Sequence, residues 1–204
     1  MCIIEIKKDK LHLMRLFLND GSEVLIDKDV CSQKCLNKGM ELDEDALQGL
    51  IFESDYQRAK SRAVWYLDRM DHTEKALYDK LLRAGFKPKP CAKVIARLKE
   101  VGLLDDNRFA ENYANRLIES NVSKREALQK LLLKGVPYDL AKSVLEETET
   151  DELSQIKNVI EKKYKNKLLA ENGVQKVYAA LVRKGFSYGA VKTALNEFIE
   201  ESEE

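Results

Sequence analysis

The pattern of hydrophobic and polar positions changes character near residue 40. Before it, "IIEI" at 3–6 and "LHLMRLFL" at 11–18 alternate apolar with polar, the period of a half-buried strand. "NDG" at 19–21 places glycine where a hairpin turn needs positive φ, and "SEVLI" at 22–26 returns as a second strand. A β-hairpin unit of two or three strands is predicted, too small to be stable unless it packs on something. A short helix around Asp29–Leu36 should end at "NKG". Asp43 is then placed to cap a long helix through "EDALQGLIFESDYQRAKSRAVWYLDR".

Past residue 56 the apolar positions repeat. "ALYDKLLRAGF" at 76–86, "ALQKLLLKGV" at 127–136 and "VYAALVRKGF" at 177–186 share one pattern. Leu81, Leu131 and Leu181 form one column, followed by Leu82, Leu132 and Val182. Gly85, Gly135 and Gly185 fall at intervals of fifty, each trailed by Phe86, Val136 or Phe186. The apolar spacing predicts a helix with one wide buried stripe. Glycine ends such a helix through the left-handed region, and the apolar residue after it folds back onto the last turn. A further helix follows each glycine, opened by Pro90, Pro137 and Ser187. Another precedes each, at roughly 56–70, 106–119 and 151–166, and Ser123 with Glu126 reads as a capping box. The predicted fold is mainly α: three tandem three-helix repeats forming an elongated array, preceded by a small N-terminal β-hairpin extension. Its segments are 1–42 for the hairpin and short helix, 43–104 for a linking helix and repeat one, 105–149 for repeat two, and 150–204 for repeat three with an acidic tail.

Charge refines this picture. The 204 residues carry no net charge, but residues 1–55 hold 7 basic against 12 acidic side chains and residues 56–104 hold 12 against 5. A basic middle fits nucleic acid or an acidic protein groove, or simply a solvated helix face. The tail "EESEE" is acidic throughout and is expected to be mobile. Cys31 and Cys35 are four apart, on one face if that stretch is helical. With Cys2, Cys91 and only His12 and His72 beside them, no zinc set is completed, and neither metal nor cofactor is expected. The N-terminus lacks the apolar core of a signal peptide, and no run approaches the ~18 apolar residues of a membrane span. A reduced, cytoplasmic monomer is expected.

Candidate chemistry centres on "GLLDDNRFAENY" at 102–113. Leu103 and Leu104 read as apolar anchors, Asp105 or Asp106 as a helix cap, and Phe109, Tyr113 and Leu117 as core. As an acid–base pair the two aspartates lack a histidine, a second carboxylate cluster and a glycine-rich loop. No phosphate-loop, dinucleotide, GxSxG or HExxH motif occurs elsewhere, so no catalytic residue is assigned and the weight falls on binding. His72 reads as a surface residue or the neighbour of an N-cap. Trp65 and Tyr66 could stack on bases, but their helical spacing with Leu67 favours the core. The concentrated basic positions are Arg58, Lys60, Arg62 and Arg69 on one helix, then Lys87, Lys89, Lys93, Arg97 and Lys99 on the next basic stretch. Arg58, Arg62 and Arg69 share a face, and Arg108 pairs locally or points outward to a partner. Such a stripe can track phosphates or meet an acidic protein surface.

These residues carry a resemblance to the RecX family. Ala63, Tyr66 and Leu67 match its first motif, and Lys80, Leu81, Gly85 and Phe86 its second. Gly102, Leu103, Leu104, Asp105, Asp106, Phe109 and Ala110 match its third, and "KREALQKLLLKGV" is similar to its second-repeat segment. The resemblance covers about residues 50–200 and is loosest in the third repeat. It implies a non-enzymatic regulator that lies along RecA filaments on single-stranded DNA and dampens ATP hydrolysis, strand exchange and repressor co-cleavage. Some members bind DNA directly as well. A helix-turn-helix-like DNA-binding protein using Lys89, Lys93 and Arg97, and an inert helical scaffold, are the competing readings.

Overall fold

The computed structural model describes residues 1–10, 12–168 and 170–203, the last three by their backbone alone. Leu11 of the alternating run, the acidic side chains at 201 and 203, and Glu204 therefore lie outside the described residues. The chain is mainly α with a small N-terminal sheet, and it divides into two compact units, Met1–Leu104 and Asp105–Glu204.

In the first unit, β1 (Ile3–Lys8), β2 (Leu13–Leu18) and β3 (Glu23–Asp27) form an antiparallel meander in that order, three strands rather than a bare hairpin. Alternation turns Leu16, Leu18 and Ile26 inward, where they pack with Ile3, with Val30 of α1 (Lys28–Gln33) and with Leu47 and Leu50 of α2 (Glu44–Leu67). Arg15 bonds the carboxylates of Asp9 at 2.8 Å and Glu23 at 2.5 Å. The hydrogen bond from Arg15 holds the Asp9 carboxyl below the usual carboxylate range. α1 stops at Gln33, and Cys35 sits beyond it with φ 49°, so Cys31 and Cys35 do not share a helix face as their spacing allowed. Cys31 is buried, which pushes its thiol pKa up, whereas Cys35 is exposed.

α2 joins the sheet to the helices. Asp43 accepts from the Ala46 amide at 2.7 Å, and the 24-residue helix then runs roughly 36 Å. Its first half buries Leu47 and Leu50 under the sheet. Its second half buries Tyr56, Ala59 and Ala63 against α3 (Glu74–Arg83) and α4 (Pro88–Glu100). α4 starts two residues before Pro90, because Pro88 occupies the first-turn position where a missing N–H costs nothing.

The second unit holds two further three-helix cores. One is built from α5 (Asp106–Glu119), α6 (Lys124–Leu133) and α7 (Tyr138–Glu147). The other comprises α8 (Glu152–Val159), a π-helical turn at Ile160–Tyr164, α9 (Lys165–Leu168), α10 (Gly173–Arg183) and α11 (Tyr188–Glu203). The fifty-residue period is structural. Leu81, Leu131 and Leu181 are each fully buried. Gly85, Gly135 and Gly185 adopt φ 91°, 90° and 93°. The next amide donates to the leucine carbonyl five residues back, at 3.3, 3.1 and 3.4 Å, the six-to-one bond that closes each helix. The adjacent column departs from the predicted stripe: Leu82 and Val182 are half-buried and Leu132 is exposed, because they lie at the stripe's edge. Thr73 and Ser123 cap α3 and α6 through their hydroxyls, but α10 starts after Asn172 at φ 56° with no side-chain cap. Glu126 completes only half of a capping box, since its carboxylate pairs with Lys130 at 2.8 Å.

Candidate interaction surface

The aspartate pair at the start of α5 is structural. The Asp105 carboxylate accepts from the Asn107 and Arg108 amides at 2.9 and 3.1 Å, satisfying donors that the first turn of a helix leaves orphaned. Phe109 and Leu117 are buried and Tyr113 stacks on Phe109 at 5.8 Å. Leu104 is buried as an anchor, whereas Leu103 is 54% exposed and anchors nothing. His72 is half-buried beside the cap Thr73, its ring 3.3 Å from the Lys80 ammonium. Among the described residues no group of three or more His, Cys, Asp or Glu gathers to hold a metal ion. No helix there is long and apolar enough to cross a membrane.

The basic candidates fall into separate groups. On α2, Arg58 and Arg62 fall with Trp65 on one flank, since steps of four and three residues keep to one side of a helix. Arg69 lies two residues past the end of α2, in the turn that follows, not on the same helix as the sequence predicts. Tyr56, Ala59 and Ala63 occupy the core side. Lys60, two residues from Arg58 and Arg62, is exposed on the opposite side. Trp65 is 44% exposed, contrary to its assignment to the core; Ala63 and Tyr66 take the inward positions beside it. Its ring carries two guanidinium groups, Arg69 at 3.5 Å from the centroid and Arg62 at 5.4 Å. Arg69 also donates to the Trp65 carbonyl at 3.3 Å, which fixes it over the indole. Arg58 lies 5.7 Å from the centroid of Phe86 and 3.6 Å from Asp55. Arg58, Arg62, Trp65 and Phe86 border a cavity of about 520 Å³, walled across from α2 by Lys10 and His12 of the β1–β2 turn, by Leu13 at the start of β2, and by Asp27 and Asp29.

The remaining candidates point elsewhere. Lys87 reaches Asp55 at 3.9 Å, and Lys89 is exposed in the first turn of α4. The Lys93 ammonium rests over Tyr56 at 4.6 Å and Phe52 at 5.2 Å. Arg97 pairs with Glu100 at 3.0 Å and Lys99 with Glu74 at 2.8 Å. Arg108 is exposed on α5, in the other unit. Exposed pairs of this kind contribute about 0.2–1 kcal/mol each, so an incoming anion can displace them. Sequence reasoning missed three participants: Trp65, whose helical spacing could not reveal its flank, and Lys10 and His12, which only the meander brings to α2. It also missed a cavity of about 240 Å³ in the second unit, lined by Lys130, Lys162, Lys163 and Lys184 with Glu119 and Glu126.

Family models described as the first and the third three-helix domains of RecX match residues 59–98 and 149–195. The chain is 31% identical over 205 residues to regulatory protein RecX of Clostridium tetani, covering 96% of this chain and 93% of that one. It is 28% identical to the Streptococcus sanguinis protein of the same name, over 97% of this chain and 77% of that one. A crystal structure of regulatory protein RecX superposes with a TM-score of 0.70 at 22% identity, over 96% of this chain and 98% of that one. The RecX structure from Lactobacillus salivarius gives 0.62 at 23% identity, over 70% of this chain and 96% of that one.

Proposed function

The chain belongs to the RecX family of regulatory proteins, and on that premise we propose that it acts by binding rather than by catalysis. Its partner in this reading is the RecA filament on single-stranded DNA, whose ATPase, strand-exchange and co-protease activities it dampens in the cytoplasm. The observation that carries the reading is similarity to regulatory RecX proteins across 96% of the chain, joined to the exposed basic residues of the first unit. In this reading the segments 1–42, 43–104, 105–149 and 150–204 act as successive modules along the sequence. The test is RecA's single-strand-dependent ATP hydrolysis titrated with this protein at two salt concentrations. Inhibition well below the concentration that saturates the DNA is expected. Reversing Arg58, Arg62 and Arg69 together to Glu should raise the half-inhibitory concentration on the order of tenfold, as like charges meet across the interface. Lys60→Glu, on the opposite side of α2, should leave it nearly unchanged. Equal effects would remove the flank from the reading.

A second reading, DNA binding independent of RecA, is favoured by Lys89, Lys93 and Arg97, spaced by four on the exposed side of α4 after the tight turn at Gly85. It requires a steep salt dependence of duplex binding without RecA. It also requires ATPase inhibition only when the DNA is fully covered.

A further inference from the structure

Trp65 is the chain's single tryptophan, and it is 44% exposed although α2 has a core side one residue away. An aromatic of this size left in water forgoes a large burial gain. Here the gain is replaced by two cations. Arg69 covers one part of the ring at 3.5 Å from its centroid, and Arg62 stands off at 5.4 Å. Arg62 and Trp65 line the 520 Å³ cavity, whereas Arg69 does not. Trp65 thus borders the cavity beside Arg62 with part of its surface exposed. Phe86 forms a second aromatic wall beneath Arg58, and Lys10 of the β1–β2 turn lines the same cavity.

We infer that this groove is a contact site for single-stranded DNA, in which an unpaired base stacks on the open part of Trp65 and neighbouring phosphates lie on Arg62, Arg58 and Lys10. The inference deepens the functional reading above and rests on it for the choice of polymer. An aromatic surface edged by guanidinium groups is the combination that binds nucleic-acid strands without sequence preference, because every base has a π-face. A duplex keeps those faces stacked internally and cannot offer one to the indole. The cavity falls within the roughly 300–1,000 Å³ of ordinary ligand pockets. Two carboxylates also line it. Asp27 is occupied in capping α1, where it accepts from the Asp29 amide at 2.9 Å. Asp29 is exposed, and its charge disfavours phosphate on its own side of the groove, leaving the strand to follow the arginines.

The single tryptophan makes the test direct. The whole protein, without RecA, is titrated with a short thymidine oligonucleotide, an abasic oligonucleotide of equal length, a DNA duplex and polyglutamate while Trp65 fluorescence is followed. Saturable quenching by the thymidine strand alone is expected. Strand binding without quenching, equal quenching by the abasic strand or by polyglutamate, or no binding would each overturn the inference, polyglutamate pointing instead to an acidic protein partner. With a dye-labelled thymidine strand, Trp65→Ala should weaken binding by about 5- to 150-fold, and Trp65→Phe should restore much of it. Unchanged affinity in Trp65→Ala would also overturn it. If Trp65→Ala does not fold, the wild-type quenching still decides. Loss of strand binding with RecA ATPase inhibition retained would separate this contact from the regulatory activity; absent inhibition with quenching intact would remove the regulatory reading and leave the site.

Discussion

Gly85 and Gly185 hold nearly the same backbone angle, φ 91° and 93°, in very different surroundings. A Cβ on Gly85 would meet nothing within 4 Å. On Gly185 it would come within 2.8 Å of Ser123 Oγ and 2.9 Å of Arg125 Cβ. Ser123 is committed there: its hydroxyl accepts from the Glu126 amide and donates to the Lys184 carbonyl at 2.6 Å. Gly85→Ala should therefore cost only the left-handed strain, about 1–2 kcal/mol. Gly185→Ala should cost clearly more, since it adds a clash and disturbs a buried cap. Denaturant midpoints of the two variants check this, and equal shifts would mean that strain alone governs the turn.

At the scale of elements, α2 is the member on which the first unit depends. It serves the sheet core with one half and the three-helix core with the other. Ser54, between the halves, is almost completely buried and accepts from the Asp27 amide at the end of β3, 2.8 Å away. Ser54→Ala leaves that N–H without its partner and should destabilise the first unit by about 1–3 kcal/mol. Urea unfolding monitored by Trp65 fluorescence reads it, and an unchanged midpoint would show that water or a neighbour replaces the hydroxyl. The third core has its own joint. Ser187 donates to Glu152 through both its amide and its hydroxyl at 2.8 Å, tying the start of α11 to the first turn of α8.

For the molecule as a whole, the division at Leu104 and Asp105 leaves each unit with two of the four apolar cores. Residues 105–204 keep both of their cores, the Ser123–Lys184 bond and a bond from Gln155 to the Ile118 carbonyl at 2.8 Å. Expressed alone, this segment should be helical and unfold cooperatively, as expected of a domain with its own core. A broad, non-cooperative melt by circular dichroism would contradict that. The basic flank and the single tryptophan lie in the other unit, so the isolated segment should show no Trp65-dependent strand binding.

The helices and their fifty-residue period are legible in the sequence. Leucine columns, glycines at intervals of fifty, and caps at Asp43, Asp105 and Ser123 are local signals, since each acts through the backbone within one or two turns. For the same reason Asp105 was legible as a helix start, and the lack of an accompanying histidine or second carboxylate cluster in the sequence argued against an acid–base dyad. Tertiary structure decided what depends on distant neighbours. It settled at three the strand count that the sequence left at two or three. It also set the π-helical turn at Ile160–Tyr164, which no local residue pattern specifies. Above all it decided the flank of α2 on which Trp65 lies: periodicity gives the angle between residues, but only α3, α4 and the sheet define which angle is inside. Arg58, Arg62 and Arg69 could be grouped from their spacing. That Arg58 and Arg62 share the edge of a cavity with Lys10 and His12 follows from a meander folding back on α2, a contact between residues some fifty positions apart.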